Sequence, residues 1–137
     1  MIYAVIDTNV LVSAIKSHKL DSSSSIVVSL LAKDFIVPLL SSAILREYED
    51  VLSFPVLNLD KAKVGAILNK IRTDGLYLAK TSGKDAFPDE SDREFYEINQ
   101  SFEGAYVITK NLKLFPSTSR VVSPSEMLRI IQEGIDF

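Results

Sequence analysis

Ile2-Tyr3-Ala4-Val5-Ile6-Asp7-Thr8-Asn9 is the stretch that decides the fold. Its hydrophobic residues run without alternation from Ile2 to Ile6, and such a run reads as a strand buried on both faces, as in the middle of a parallel sheet. Asp7-Thr8-Asn9 then forms a polar turn, and Val10, Leu11, Ala14 and Ile15 recur at helical spacing beyond it. The order is strand, polar turn, helix, with this first strand expected at the centre of the sheet.

Outward from there the same alternation continues. His18 to Ser25 reads as a polar connection, and Ile26, Val27, Leu30 and Leu31 as a second helix. Phe35 to Leu39 reads as a strand whose Pro38 points to an edge or an ending. Ser41 or Ser42 can cap a helix carrying Ile44, Leu45, Tyr48, Val51 and Leu52, and Asp60 can cap another through Ile71, with Gly75 as its stop signal. A short strand over Leu76 to Ala79, a loop over Thr81 to Ser91, and a helix capped by Asp92 come next. Strands at Ala105 to Thr109 and Val121-Val122 and a helix over Ser125 to Glu133 complete the chain. Sequential parallel strands need crossover helices, so this pattern predicts an α/β fold. The expected architecture is a three-layer α/β/α sandwich around a mostly parallel sheet of four or five strands, with residues 1–137 as a single domain.

Composition narrows the chemistry. The chain has no Cys and one His, His18, which closes disulfide frameworks, thiol catalysis and Cys/His zinc sites. Any metal must be held mainly by oxygen, which favours Mg²⁺ or Mn²⁺. A net charge of −3 and an isoelectric point near 5.1 rule out nucleic-acid binding through a bulk positive field and leave room only for a local basic rim. The start of the chain lacks the basic residues and long apolar core of a signal peptide, and the longest apolar run elsewhere is far short of a membrane span, so a cytoplasmic protein without membrane contact is expected.

In open parallel sheets ligands bind beyond the C-terminal ends of the strands. Those ends are polar here: Asp7-Thr8-Asn9 after the first strand, Thr109-Lys110-Asn111 after the fourth, Glu47 on the helix after the second, and Asp89 and Asp92 before the helix that feeds the fourth. If these ends converge, Asp7, Glu47, Asp89 and Asp92 make one acidic pocket. Two carboxylates about 4 Å apart repel by roughly 4 kcal/mol at an effective dielectric near 20, and a divalent cation removes that cost. Each acid has a plainer reading beside this one: Asp7 and Asp92 as helix caps, Glu47 as a solvated helix residue, Asp89 as a loop acid.

The ordered set of motifs resembles the PIN domain family, also called PilT N-terminal domains. Asp7-Thr8-Asn9-Val10-Leu11-Val12-Ser13 is similar to its opening motif, Glu47-Tyr48-Glu49-Asp50-Val51-Leu52 to its second, Asp89-Glu90-Ser91-Asp92-Arg93-Glu94-Phe95 to its third, and Ala105 to Asn111 to the strand carrying its fourth. The resemblance covers almost the whole chain. It implies a metal-dependent endoribonuclease that hydrolyses phosphodiester bonds of single-stranded RNA to 5′-phosphate and 3′-hydroxyl ends, using Mg²⁺ or Mn²⁺. Many such proteins are VapC-like toxins, which implies an antitoxin partner and a homodimer. Carried over by position, Asp7, Glu47 and Asp92 would be the catalytic, metal-binding acids and Asp89 an additional metal acid, with Thr8, Asn9, Thr109 and Asn111 as polar support. Lys16, Lys19, Lys84, Arg93, Lys110 and Lys113 would rim the pocket and meet RNA phosphates. Asn111 stands where the family often has an acid, which puts the second metal in question and sustains an alternative: a degenerate PIN domain that binds RNA or a protein without cutting.

A phosphoacceptor receiver fits less well, because the strand ending at Ala79 offers no Asp. A haloacid-dehalogenase-like phosphatase would want Asp, not Asn9, two positions after Asp7.

Overall fold

A computed structural model describes residues 1–17, 19, 21–79 and 92–134. His18, the expected loop at Thr81 to Ser91, and with it Lys84 and Asp89, lie outside these described residues. The strand read from the opening stretch is β1 (Ile2–Ile6), followed by α1 (Thr8–Lys16), α2 (Ser23–Ala32) and β2 (Ile36–Leu40). Then come α3 (Ser42–Leu52), α4 (Lys61–Asp74), β3 (Leu76–Tyr77), α5 (Arg93–Gln100), β4 (Tyr106–Ile108), β5 (Val121–Val122) and α6 (Pro124–Glu133). Short 3₁₀ turns occupy Pro55–Leu57 and Leu112–Leu114.

Five strands form one sheet in the order β3-β2-β1-β4-β5, and every pairing is parallel. β1 is central, as its unbroken hydrophobic run predicts: Ile2 pairs with Ile36 on one side, and Ala4 and Ile6 pair with Tyr106 and Ile108 on the other. Helices cover the sheet to give the α/β/α sandwich. On it α1, α2 and α6 pack together, while α5 crosses β1, β2 and β4. The core is built from β1, β2 and β4 and from the inward sides of the helices, with Val10, Leu11, Val27, Leu31, Ile44, Tyr48, Phe95, Ile98 and Met127 among its buried residues.

Three local expectations need correction. Pro38 does not mark an edge strand, since β2 lies between β1 and β3. The Leu40 carbonyl accepts from Leu78 on the β3 side, and alternate residues face the same way, so Pro38 also faces β3. Pairing there begins only at Leu39 with Leu76, so the missing N–H interrupts no ladder bond. The serine run is likewise not a simple connection. Ser22 caps α2, its hydroxyl accepting from the Ser25 amide, and Ser23 to Ser25 form the first turn. Gly75 does end α4, but in extended backbone (φ −71°, ψ 153°) rather than the left-handed form.

The reason for Gly75 is proximity. A Cβ there would lie 2.5 Å from both the Ile71 carbonyl oxygen and Leu40 Cδ2. Gly75→Ala is therefore expected to destabilise the fold by about 1–3 kcal/mol, as overpacking does, read as a lower urea midpoint at unchanged slope. An unchanged midpoint would show that the α4–β2 junction relaxes freely.

Candidate active site

The C-terminal edge of the sheet gathers the polar residues. Asp7 follows β1, its amide donating to the Ile108 carbonyl at 2.9 Å, so the end of β1 is held against the end of β4. Its carboxylate is buried, and Oδ2 accepts from Thr109 Oγ1 at 2.7 Å. The Thr109 hydroxyl also accepts from the Asn111 amide at 3.0 Å, which fixes the turn after β4 around it. Asn9 Oδ1 accepts from the Lys110 amide at 3.2 Å and ties α1 to the same turn.

Glu47 enters from α3. Thr8 Oγ1 donates to Glu47 Oε2 at 2.5 Å, so adjacent residues of one turn engage opposite elements: Asp7 reaches β4 and Thr8 reaches α3. Tyr48, the next residue of α3, is fully buried, and its hydroxyl donates to the Ile6 carbonyl at 2.5 Å. Burial, with Asp7 and Glu47 nearby, pushes the Tyr48 phenol well above its usual range, so it stays protonated and keeps donating. The ring meets Phe95 of α5 with centroids 6.1 Å apart.

Asp92 immediately precedes α5, one turn before Phe95. Ser41, at the end of β2, donates to Glu94 Oε2 at 2.7 Å and so anchors the first turn of α5 at the same edge of the sheet. The Asp92 side chain makes no capping bond to its own helix. The Asp7 carboxylate makes no side-chain capping bond to α1 either; its hydrogen bond runs to Thr109 on the far side of the turn.

Burial raises the Asp7 carboxyl above its ordinary value. The Thr109 hydroxyl, the Thr8 and Asn9 amides and the Asn9 side chain oppose that shift without outweighing it. A buried carboxylate in this condition has a heightened affinity for positive charge, proton or metal. Among the described residues no group of three or more His, Cys, Asp or Glu side chains is drawn close enough to hold a metal ion. The expected four-acid pocket is thus Asp7 and Glu47 joined through Thr8, Asp92 at the start of α5, and Asp89 outside the described residues.

Of the expected basic rim, Lys16 and Lys110 line one groove beside Thr8 and Asn9, with Lys110 Nζ donating to Ser13 Oγ at 3.0 Å. Arg93 instead faces Glu97, 3.8 Å away on its own helix. Lys19 and Lys113 are exposed, Lys113 in the 3₁₀ turn Leu112–Leu114. Asn99 is buried at the end of α5, where its amide nitrogen can donate to the Ala105 and Tyr106 carbonyls at 2.9 and 3.1 Å.

Sequence reasoning missed Tyr48, which reads as one more apolar contact of α3. Its place beside Glu47 was the available signal. Tyr48→Phe leaves the buried Ile6 carbonyl without this donor and is expected to cost about 1–3 kcal/mol in denaturant unfolding. A change below about 0.5 kcal/mol would mean the bond does not secure the end of β1.

The sequence model of the family described as PIN domain matches residues 3–113, far more than half of the chain. No curated protein and no solved structure matches it. The chain belongs to the PIN domain family. Proteins of this family are generally nucleases and generally use divalent metal ions.

Proposed function

We propose that this PIN-domain chain is a metal-dependent endoribonuclease that hydrolyses phosphodiester bonds of single-stranded RNA, with Asp7, Glu47 and Asp92 as its catalytic acids. One observation carries the reading. Asp7 is buried at the carboxyl end of the central strand with its proton affinity raised, and it shares a turn with Thr8, which holds Glu47. Burying a carboxylate is costly, and the hydrogen bonds Asp7 accepts do not outweigh its desolvation, so a bound cation would relieve it.

The donor chemistry fits a hard cation. Asp7 and Glu47 offer only carboxylate oxygens, and the chain contains no Cys. Asp7, Glu47 and Asp92, which are not gathered into one group in this structure, would hold Mg²⁺ or Mn²⁺ once drawn together around it, with Asp89 as a further acid. When bound, such a cation supplies an activated water and stabilises charge on the phosphorane and the leaving oxygen. The chain's own residues do the rest. Thr109 fixes the Asp7 rotamer, Thr8 fixes Glu47, and Tyr48 pins the end of β1 that carries Asp7. Asn9 and Asn111 shape the turn, and Lys16 and Lys110 meet the phosphates. Lys19, Lys84, Arg93 and Lys113 are secondary candidates for RNA contact.

The resemblance to VapC-like toxins supports a finer reading, in which the protein is the toxin of a toxin–antitoxin pair, working as a cytoplasmic homodimer restrained by an antitoxin protein. Asn111, which adds no negative charge at the end of β4, favours the second reading of a PIN domain that binds RNA or a protein without cutting. Among the described residues no helix is long and apolar enough to cross a membrane.

The test is cleavage of single-stranded RNA by purified protein. Cutting with Mg²⁺ or Mn²⁺, stopped by EDTA and leaving 5′-phosphate ends, is expected. RNA binding without cleavage under any divalent ion would establish the second reading.

A further inference from the structure

We propose that the groove beside the acidic site seats one unpaired nucleobase of the RNA strand, stacked on Phe54. The groove has a volume of about 790 Å³, within the range of roughly 300–1,000 Å³ typical of small-ligand sites. It begins at Thr8 and Asn9, the residues directly after Asp7, and runs along α1 to the turn after α3. Its apolar lining is Val12 on α1, Val51 near the end of α3, and Phe54 and Leu57 beyond it.

Phe54 is 49% exposed and lines the groove. Lys16 and Lys110 stand on the rim of a chain whose net charge is −3. Apolar and aromatic residues beside two cations, adjoining the turn that follows Asp7, complement a nucleotide strand. The base takes the apolar lining, flanking phosphates take the lysines, and the next phosphodiester is carried toward Asp7. A hydrophobic peptide would use the apolar lining but has no need of the cations. The proposal rests on the nuclease reading only for the identity of the strand as substrate.

The chain contains no Trp, so Phe54→Trp supplies a single tryptophan in the groove, excited selectively over the five tyrosines, and Val56→Trp, 88% exposed on the adjacent turn, a control. Each full-length variant is titrated in EDTA, where cleavage is suppressed, with a single-stranded hexanucleotide RNA and with the same backbone lacking bases. Saturable quenching in Phe54→Trp by the RNA, absent with the abasic strand and absent in Val56→Trp, is expected. Phe54→Ala should weaken RNA binding by roughly 5- to 150-fold, the range of aromatic–base stacking. Unchanged binding in Phe54→Ala, or equal quenching in both Trp variants, overturns the proposal. So does an emission shift of Phe54→Trp that follows protein concentration without RNA, which would make a second copy of the chain the occupant. Quenching with no metal-dependent cleavage leaves the groove standing and removes the nuclease. Cleavage with Phe54→Ala binding unchanged does the reverse.

Discussion

Asp7→Asn is expected to lower the rate of RNA cleavage by at least about 100-fold at saturating Mn²⁺, with the circular dichroism spectrum unchanged. Asn is nearly isosteric, and its amide oxygen can still accept from Thr109 Oγ1, which now bonds Asp7 Oδ2 at 2.7 Å. The turn should therefore persist while the charge is lost. Asp92→Asn should show a loss of the same order, since both acids are assigned to the same cation. Single-turnover cleavage of a labelled single-stranded RNA measures both. Activity within about threefold of wild type in Asp7→Asn would leave Asp7 a structural acid only, because removal of a real metal ligand costs far more than that.

The second large effect is on stability. Asp7's folded carboxyl lies above the ordinary 3.8 because of burial, so between these two values the folded chain holds a proton that the unfolded chain has released. Its contribution is therefore most favourable below pH 3.8 and is lost as pH rises through the folded value. At neutral pH in EDTA the buried charge is a net burden. Asp7→Asn removes it at every pH, so the variant should melt higher than wild type at pH 7 and show a flatter dependence through the acid range. Metal at 100 times its dissociation constant should add about 2.7 kcal/mol to the wild type, roughly 8–13 °C in melting temperature for a chain of this size. The variant should gain little. A helix-capping Asp7 predicts neither change, since Asn caps about as well as Asp. Thermal melts of both proteins from pH 4 to 8, with EDTA and with excess Mn²⁺, separate the two accounts.

The sheet was legible because its central strands are hydrophobic on both faces. The runs at Ile2–Ile6 and Tyr106–Ile108 cannot alternate, and a parallel sheet covered by helices is the arrangement that accepts them. The polar turns after those strands pointed to the edge where Asp7, Thr8, Asn9 and Thr109 meet. Pro38 misled because a proline's cost depends on which side its missing N–H faces, and that is set by where β3 begins to pair. The serine run misled because small polar residues serve connections and helix starts alike. Gly75 was read correctly as a helix end but for a reason only packing reveals, the approach of Leu40 and the Ile71 carbonyl. The Tyr48 bond to Ile6 had no sequence signal beyond its place beside Glu47, and the groove at Phe54 had none. The first is a hydroxyl hidden in an apolar stripe. The second is made by a turn beyond the periodic part of α3; the first exists only once α3 has docked on β1, and the second only once α1 and α3 lie side by side.

Calorimetric titration of Mn²⁺ into the metal-free protein at pH 7, beside the same titration of Asp7→Asn, tests the central claim most directly. The account predicts saturable binding to the wild type and loss of that binding in the variant. Equal Mn²⁺ binding by the two proteins would contradict it.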